Sequence, residues 1–210
     1  LLKGAGVRLM VAGLATLGNY KGFSSEVTFF YIDIQDLLLP YQEAPDGPTF
    51  YENSGNTQHT GMELQLRWRP GDLPVSAIGS YSLTKAQFVD FPNEDVEENT
   101  VPGIPDHLID ARVVWQPGDW RITPQVKWSS RYPADNSNTA YADSYTDVQF
   151  TIARDFRLMN GRLGMEPFFQ VENALDQNYS SSVVVNGFGG TYYEPAWPRS
   201  WKAGITLSWK

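Results

Sequence analysis

Hydrophobic and polar positions alternate with period two along most of the chain. In Thr60-Gly61-Met62-Glu63-Leu64-Gln65-Leu66-Arg67-Trp68-Arg69, an extended backbone puts Met62, Leu64, Leu66 and Trp68 on one face and Glu63, Gln65, Arg67 and Arg69 on the other. The same sorting sets Ile109, Ala111, Val113 and Trp115 against Asp110, Arg112 and Gln116, and Ile122, Val126 and Trp128 against Thr123, Gln125 and Lys127. It returns near the end, where Leu163, Met165, Phe169 and Val171 oppose Glu166, Gln170 and Glu172. Trp201, Ala203, Ile205, Leu207 and Trp209 likewise oppose Lys202, Gly204, Thr206, Ser208 and Lys210, and Val148, Phe150 and Ile152 add a sixth segment. Helical periodicity is scarce, so the pattern predicts an all-β chain with nine strands near 4–12, 24–38, 48–69, 74–90, 106–116, 120–132, 141–157, 162–174 and 197–209.

The connectors alternate in length. Arg69-Pro70-Gly71-Asp72, Gln116-Pro117-Gly118-Asp119 and Met159-Asn160-Gly161 have tight-turn chemistry, whereas Pro40 to Thr49, Asp90 to Pro105, Tyr132 to Ala140 and Asp176 to Pro195 are long and polar. An antiparallel up-and-down meander with one short-turn rim and one long-loop rim is the pattern of a bacterial transmembrane β-barrel. Trp68, Trp115, Trp120 and Trp209 sit beside the short turns or the C-terminus, and Trp128, Trp197 and Trp201 towards the long loops, as two aromatic girdles would. A soluble β-sandwich also alternates, because it too buries one face. Strand length separates them: runs of about ten residues match what a tilted strand needs to cross a bilayer. Bacterial single-chain barrels have even strand numbers, so an odd set predicts that earlier strands are missing and that these nine belong to a larger barrel.

Composition narrows the function. Lys and Arg number 16 against 24 Asp and Glu, a net charge of −8, which argues against a nucleic-acid partner. There is no cysteine, so disulfides, thiolate metal sites and Cys nucleophiles are excluded together. No apolar run approaches the ~18 residues of a spanning helix. The opening Leu1-Leu2-Lys3-Gly4 has neither an initiator Met nor a signal-peptide pattern, and reads as a start partway along a longer chain.

Four stretches carry a family likeness. Phe29-Phe30-Tyr31-Ile32-Asp33-Ile34-Gln35-Asp36-Leu37 is followed by Asn53-Ser54-Gly55-Asn56-Thr57-Gln58-His59-Thr60-Gly61-Met62-Glu63, then by Val101-Pro102-Gly103-Ile104-Pro105-Asp106-His107. Last comes Val171-Glu172-Asn173-Ala174-Leu175-Asp176-Gln177-Asn178-Tyr179, with Tyr192-Tyr193-Glu194-Pro195 and Arg199 before the final strand. In this order and spacing they resemble the C-terminal part of the TonB-dependent outer-membrane receptors. The chain departs in having Ala174-Leu175 where the family has Leu-Phe, and Lys210 after Trp209 where the family commonly ends on an aromatic residue.

The resemblance implies that residues 1–210 form the C-terminal strands of a ~22-stranded plugged barrel, without its N-terminal plug and earlier strands. It implies an outer-membrane location in a Gram-negative bacterium and transport of an iron–siderophore complex or similar scarce nutrient, siderophore being the family's commonest cargo. The partners implied are the TonB energy-transducing complex, reached through the missing N-terminal region, the barrel-assembly machinery at the C-terminal strand, and the bilayer with its lipopolysaccharide. No resident cofactor and no catalytic role are implied.

The long loops and outer rim would then supply the ligand site. Arg131 shares the parity of Lys127 and Ser129, which points it into the lumen, and its guanidinium suits an anionic chelate. Tyr132, Tyr141, Tyr192 and Tyr193 lie on or beside long loops, where rings can stack on a flat ligand and donate a hydroxyl. Loop or girdle packing explains each of them equally well singly. Arg199 shares the parity of Trp201 and points outward, towards lipopolysaccharide phosphate. No phosphate loop, nucleophile elbow or zinc-protease motif occurs. His59 and His107 are isolated, and Glu94, Asp95, Glu97 and Glu98 lack the ordered spacing of a Ca²⁺ loop. Two other readings remain: a complete small outer-membrane barrel, acting as an adhesin or as an enzyme using Ser129 or Ser144 with His107, and a soluble carbohydrate-binding β-sandwich.

Overall fold

The computed structural model describes residues 6–36, 38–42, 48–53, 55–91, 95–187 and 192–209. In chain order the strands are β1 (Gly6–Tyr20), β2 (Phe23–Gln35), β3 (Leu38–Gln42), β4 (Thr49–Asn53), β5 (Asn56–Trp68), β6 (Val75–Asp90), β7 (His107–Trp115) and β8 (Trp120–Ser129). They continue with β9 (Tyr132–Pro133), β10 (Tyr141–Ala142), β11 (Tyr145–Arg154), β12 (Phe156–Leu158), β13 (Leu163–Glu172), β14 (Ser180–Val183), β15 (Tyr193–Pro195) and β16 (Ser200–Trp209). The main sheet is antiparallel, in the order β1-β2-β5-β6-β7-β8-β11-β13, with β16 on the far side of β13 and β12 continuing the line of β11. The small strands pair among themselves as ribbons on the long-loop rim: β3 with β4, β9 with β10 and β14 with β15. Among the described residues β1 pairs only with β2, and β16 only with β13, so this sheet does not close on itself.

Register sorts the side chains as the alternation predicts. One row runs Glu26, Gln65, Ser80, Asp110, Lys127, Asp147 directly across six strands, all on the polar face. On this face Arg121 pairs with Glu166, and Gln125 donates to Asp110 at 2.9 and 3.2 Å. Two large rings there lie opposite glycines. Phe30 pairs with Gly61 and Phe168 with Gly204, and a Cβ on either glycine would come within 2.3 Å or 2.6 Å of the ring. Such cross-strand cover restores packing that glycine forfeits. The other face joins Val27 to Leu64, Phe29 to Met62, Ala111 to Val126, and Val171 to Trp201. That apolar face is open: Ile205 is 62 % and Leu207 65 % exposed. A soluble sandwich would bury it, whereas a barrel wall presents it to lipid.

Several boundaries differ from the sequence reading: the strand expected over 120–132 ends as β8 at Ser129, and the one expected over 141–157 is divided into β10, β11 and β12. β1 runs on to Tyr20, because antiparallel pairing with β2 continues through Thr16↔Ser25 and closes in a Lys21-Gly22 turn with positive φ at both residues. Apolar residues of both parities, Val7, Leu9 and Val11 beside Met10 and Leu14, hid its period. The single strand expected over 48–69 is two: β4 belongs to the loop ribbon, and β5 starts after Gly55, whose φ of 73° turns the chain.

Candidate ligand-binding site in the long loops

Most of the buried residues lie not in the wall's midsection but at its long-loop end, with Ala153 near the short turns an exception. Phe88 and Phe91 pack edge-on with centroids 4.9 Å apart, and Val96 and Val101 complete that cluster. Tyr132, Ala134, Asp135, Asn136 and Ala142 are buried in the next loop. Polar side chains organise it. Asp135 accepts hydrogen bonds from Thr139 N at 2.8 Å, from the Thr139 hydroxyl, and from Ala140 N at 3.3 Å. Burial pushes its carboxyl pKa up, but these donors outweigh that and hold it below the usual value. Asn138 donates from Nδ2 to Thr100 O and accepts from Thr100 N through Oδ1, both at 2.9 Å. Asn136 N donates to Asn186 Oδ1 at 2.9 Å, and Asn186 N to Ala134 O at 3.0 Å. Gly103, at φ 79°, donates to Pro133 O at 2.9 Å. The β6–β7, β8–β11 and β13–β16 loops are thereby joined into one body.

On that body four of the five sequence-predicted residues come together. Arg131 lies with Cζ 3.9 Å from the Tyr141 ring centroid and Nε 4.0 Å from Asp143. Tyr193 donates its hydroxyl to Tyr141 O at 3.1 Å and meets Tyr192 edge-on with centroids 5.9 Å apart. β8 ends at Ser129, so its alternation no longer sets Arg131; the stack on Tyr141 does. Tyr132, the fifth, is only 6 % exposed and pairs with Ala142 beneath this surface. Burial, then neighbouring Tyr145, raises its phenol pKa, so it stays protonated. Below the rim a groove of about 540 Å³ crosses the polar face, lined by Glu26, Glu63, Asp110, Lys127 and Tyr145 among others.

Sequence reasoning passed over Asp135, Asn136, Asn138 and Asn186, although the run Asp135-Asn136-Ser137-Asn138-Thr139 is dense in residues that bond their own backbone. It also passed over the Tyr145–Tyr179 stack at 4.2 Å. Arg199 is 3.8 Å from Asp176, and its backbone N–H bonds the same carboxylate at 3.1 Å, so it braces the loop base. His107 shares a hydrogen bond with Tyr81 Oη at 2.8 Å on the apolar face, while Ser129 pairs opposite Leu108 on the polar face and donates to Ser130 O. They form no nucleophile and base. Among the described residues no group of three or more carboxylates and histidines converges; Glu94 lies outside them.

A family profile described as "TonB dependent receptor-like, beta-barrel" matches residues 5–166. The fold is similar to the ferric citrate transporter FecA in its unliganded form (24 % identity, TM-score 0.77, 96 % of this chain and 31 % of that one). It is also similar to the ferric yersiniabactin uptake receptor FyuA from Yersinia pestis (18 %, 0.71, 96 % and 29 %) and to the copper transporter OprC (14 %, 0.73, 98 % and 31 %). The chain thus spans about a third of the length of each of these structures.

Proposed function

The chain belongs to the TonB-dependent receptor β-barrel family, and from that premise we propose that it forms wall and extracellular loops of an outer-membrane importer of a ferric siderophore or similar metal chelate. The observation that carries this reading is the Arg131–Tyr141–Tyr193–Tyr192 cluster, an aromatic and cationic surface on loops already locked to one another. Preordered loops bind without the entropic cost of ordering. Tyr141 and Tyr193 offer ring faces and hydroxyls, Arg131 a guanidinium fork, and Tyr132 supports them from below. The stretches between the main strands on the long-loop side, residues 36–55, 91–106, 130–144 and 173–199, hold thirteen Asp and Glu against two Arg, and each Arg stands near a carboxylate, so the rim favours a neutral or cationic chelate over a strongly anionic one. Similarity to iron and copper transporters supports metal cargo.

Opening the path falls to a plug and the TonB complex, acting through regions N-terminal to these strands. The last strand would address the assembly machinery, and the apolar face would meet lipid and lipopolysaccharide. The test is uptake of radiolabelled ferric hydroxamate, catecholate and citrate chelates by iron-starved cells. Deletion of the full-length gene should abolish uptake of at least one, wild-type should restore it, and Arg131→Ala with Tyr141→Ala should cut restoration about tenfold. Unchanged uptake of every chelate on deletion would sink the reading.

A further inference from the structure

Charges on a lipid-facing wall are rare and placed for a reason. In the described long strands, register puts Arg8, Asp33, Lys85 and Arg154 on the apolar face. Lys85 bonds Asp106, and Arg8 stands directly across from the opposite charge of Asp33 in register. Arg154 differs in position and in partners. It lies at the short-turn end, opposite Trp120, with its Cζ 5.1 Å from the Trp120 ring centroid and 4.8 Å from that of Phe156. Its Nε is buried with no hydrogen-bond partner, and among the described residues no carboxylate comes within ion-pair distance.

Two rings hold a guanidinium by attraction to their negative faces, but they satisfy none of its N–H donors in the plane. A cation fixed by its stem in an aromatic girdle, with donors unmet, calls for a ligand with anionic oxygens arriving from the membrane interface. Trp68, Trp115 and Trp209 mark the same level at the short-turn ends of their strands. In bacterial barrels that rim is periplasmic, and the adjoining leaflet is phospholipid. We propose that Arg154, clamped between Trp120 and Phe156, seats the phosphodiester of an inner-leaflet phospholipid headgroup. This rests on the barrel orientation adopted above, but not on any particular cargo. The fork of the guanidinium matches two phosphate oxygens, which a lysine ammonium cannot do.

The test uses the full-length receptor, delipidated in detergent and titrated with phosphatidylethanolamine and phosphatidylglycerol under native mass spectrometry. Wild type should retain phospholipid that Arg154→Gln retains about tenfold less, the scale of losing hydrogen bonds to a charged group, with Arg154→Lys between them. Each variant is first checked for its folded, heat-modifiable band. Should Arg154→Gln fail that check, Trp120→Ala keeps the charge and should show the same loss. Equal retention by wild type and the folded variant, or no retention by wild type, overturns the proposal. So does displacement of the lipid by millimolar inorganic phosphate, which would make the seat a soluble-anion site. Chelate uptake should be unchanged in Arg154→Gln, which separates failure here from failure of the transport reading.

Discussion

Asn173 is the best place to ask whether the loop body is built as described. It is 3 % exposed, has φ 47°, and closes the exit of β13. Its Nδ2 donates to Gln177 O at 2.9 Å and Trp197 O at 3.2 Å, and its Oδ1 accepts from Gln177 N at 3.0 Å. Its backbone N–H bonds Asp147 Oδ1 at 3.2 Å. Asn173→Ala deletes the three side-chain bonds and leaves at least one buried group unpaired, costing about 2 kcal/mol. Ala in a left-handed conformation adds about 1 kcal/mol. A total near ~3 kcal/mol raises the local opening constant by roughly 150-fold. Hydrogen-exchange mass spectrometry of the full-length receptor should therefore show that loss of protection in the loop base, at Gln177 and Ala196, with little change in β5–β8. Asn173→Gly removes the same bonds without the backbone penalty, and should recover about fivefold of the lost protection. A change below about threefold in Asn173→Ala, or equal behaviour of the two variants, would refute the argument.

Other consequences follow from the same geometry. The folded pKa of Asp135 lies below the unfolded value of about 3.9, so its contribution is complete above that value and is lost as pH falls through the lower folded one. Loop exchange should accelerate in that acid window, and Asp135→Asn should flatten the dependence. Gly61→Ala would drive a Cβ to 2.3 Å from both Leu83 O and the Phe30 ring, so the yield of heat-modifiable barrel should fall severalfold. Tyr193→Phe removes the hydroxyl donated to Tyr141 and should cost about 1 kcal/mol in chelate affinity, measured by equilibrium binding with the transported chelate.

How much of this could be read without coordinates depended on the range of the interactions. Period-two sorting needs only neighbours, so Met62, Leu64, Leu66 and Trp68 declared one face and their register partners Phe29, Val27, Ser25 and Phe23 completed it. β1 was misjudged where both parities are apolar. The resemblance located Asn173, Asp176 and Arg199, but only geometry explains them: the Asn is a three-bond cap and the Arg a brace on Asp176. Gly61 has its reason in Phe30, a partner 31 positions away that no local rule could supply. The residues of the proposed ligand surface were legible singly, yet Tyr193 meets Tyr141 across two loops, and only the fold could join them.

Where the burial lies bears on how such a wall can work. A sheet with one face towards lipid and the other towards a polar groove has no interior, so its stability comes from ladders and cross-strand pairs rather than a core. The buried side chains concentrate instead at the long-loop rim: Phe88, Phe91 and Val96 under one loop, Tyr132, Ala134 and Ala142 under the next. Elsewhere in proteins long loops are the first segments to open. Here the Asn136–Asn186 and Asn138–Thr100 bonds tie them pairwise, so a displacement of Tyr141 must be shared by the loops on both sides. A ligand seated on Arg131 and Tyr193 would therefore act on three loops at once. Coupling of that kind is what the Asn173 experiment can expose, because melting the loop base should loosen Tyr193 without touching a single residue of the proposed ligand surface.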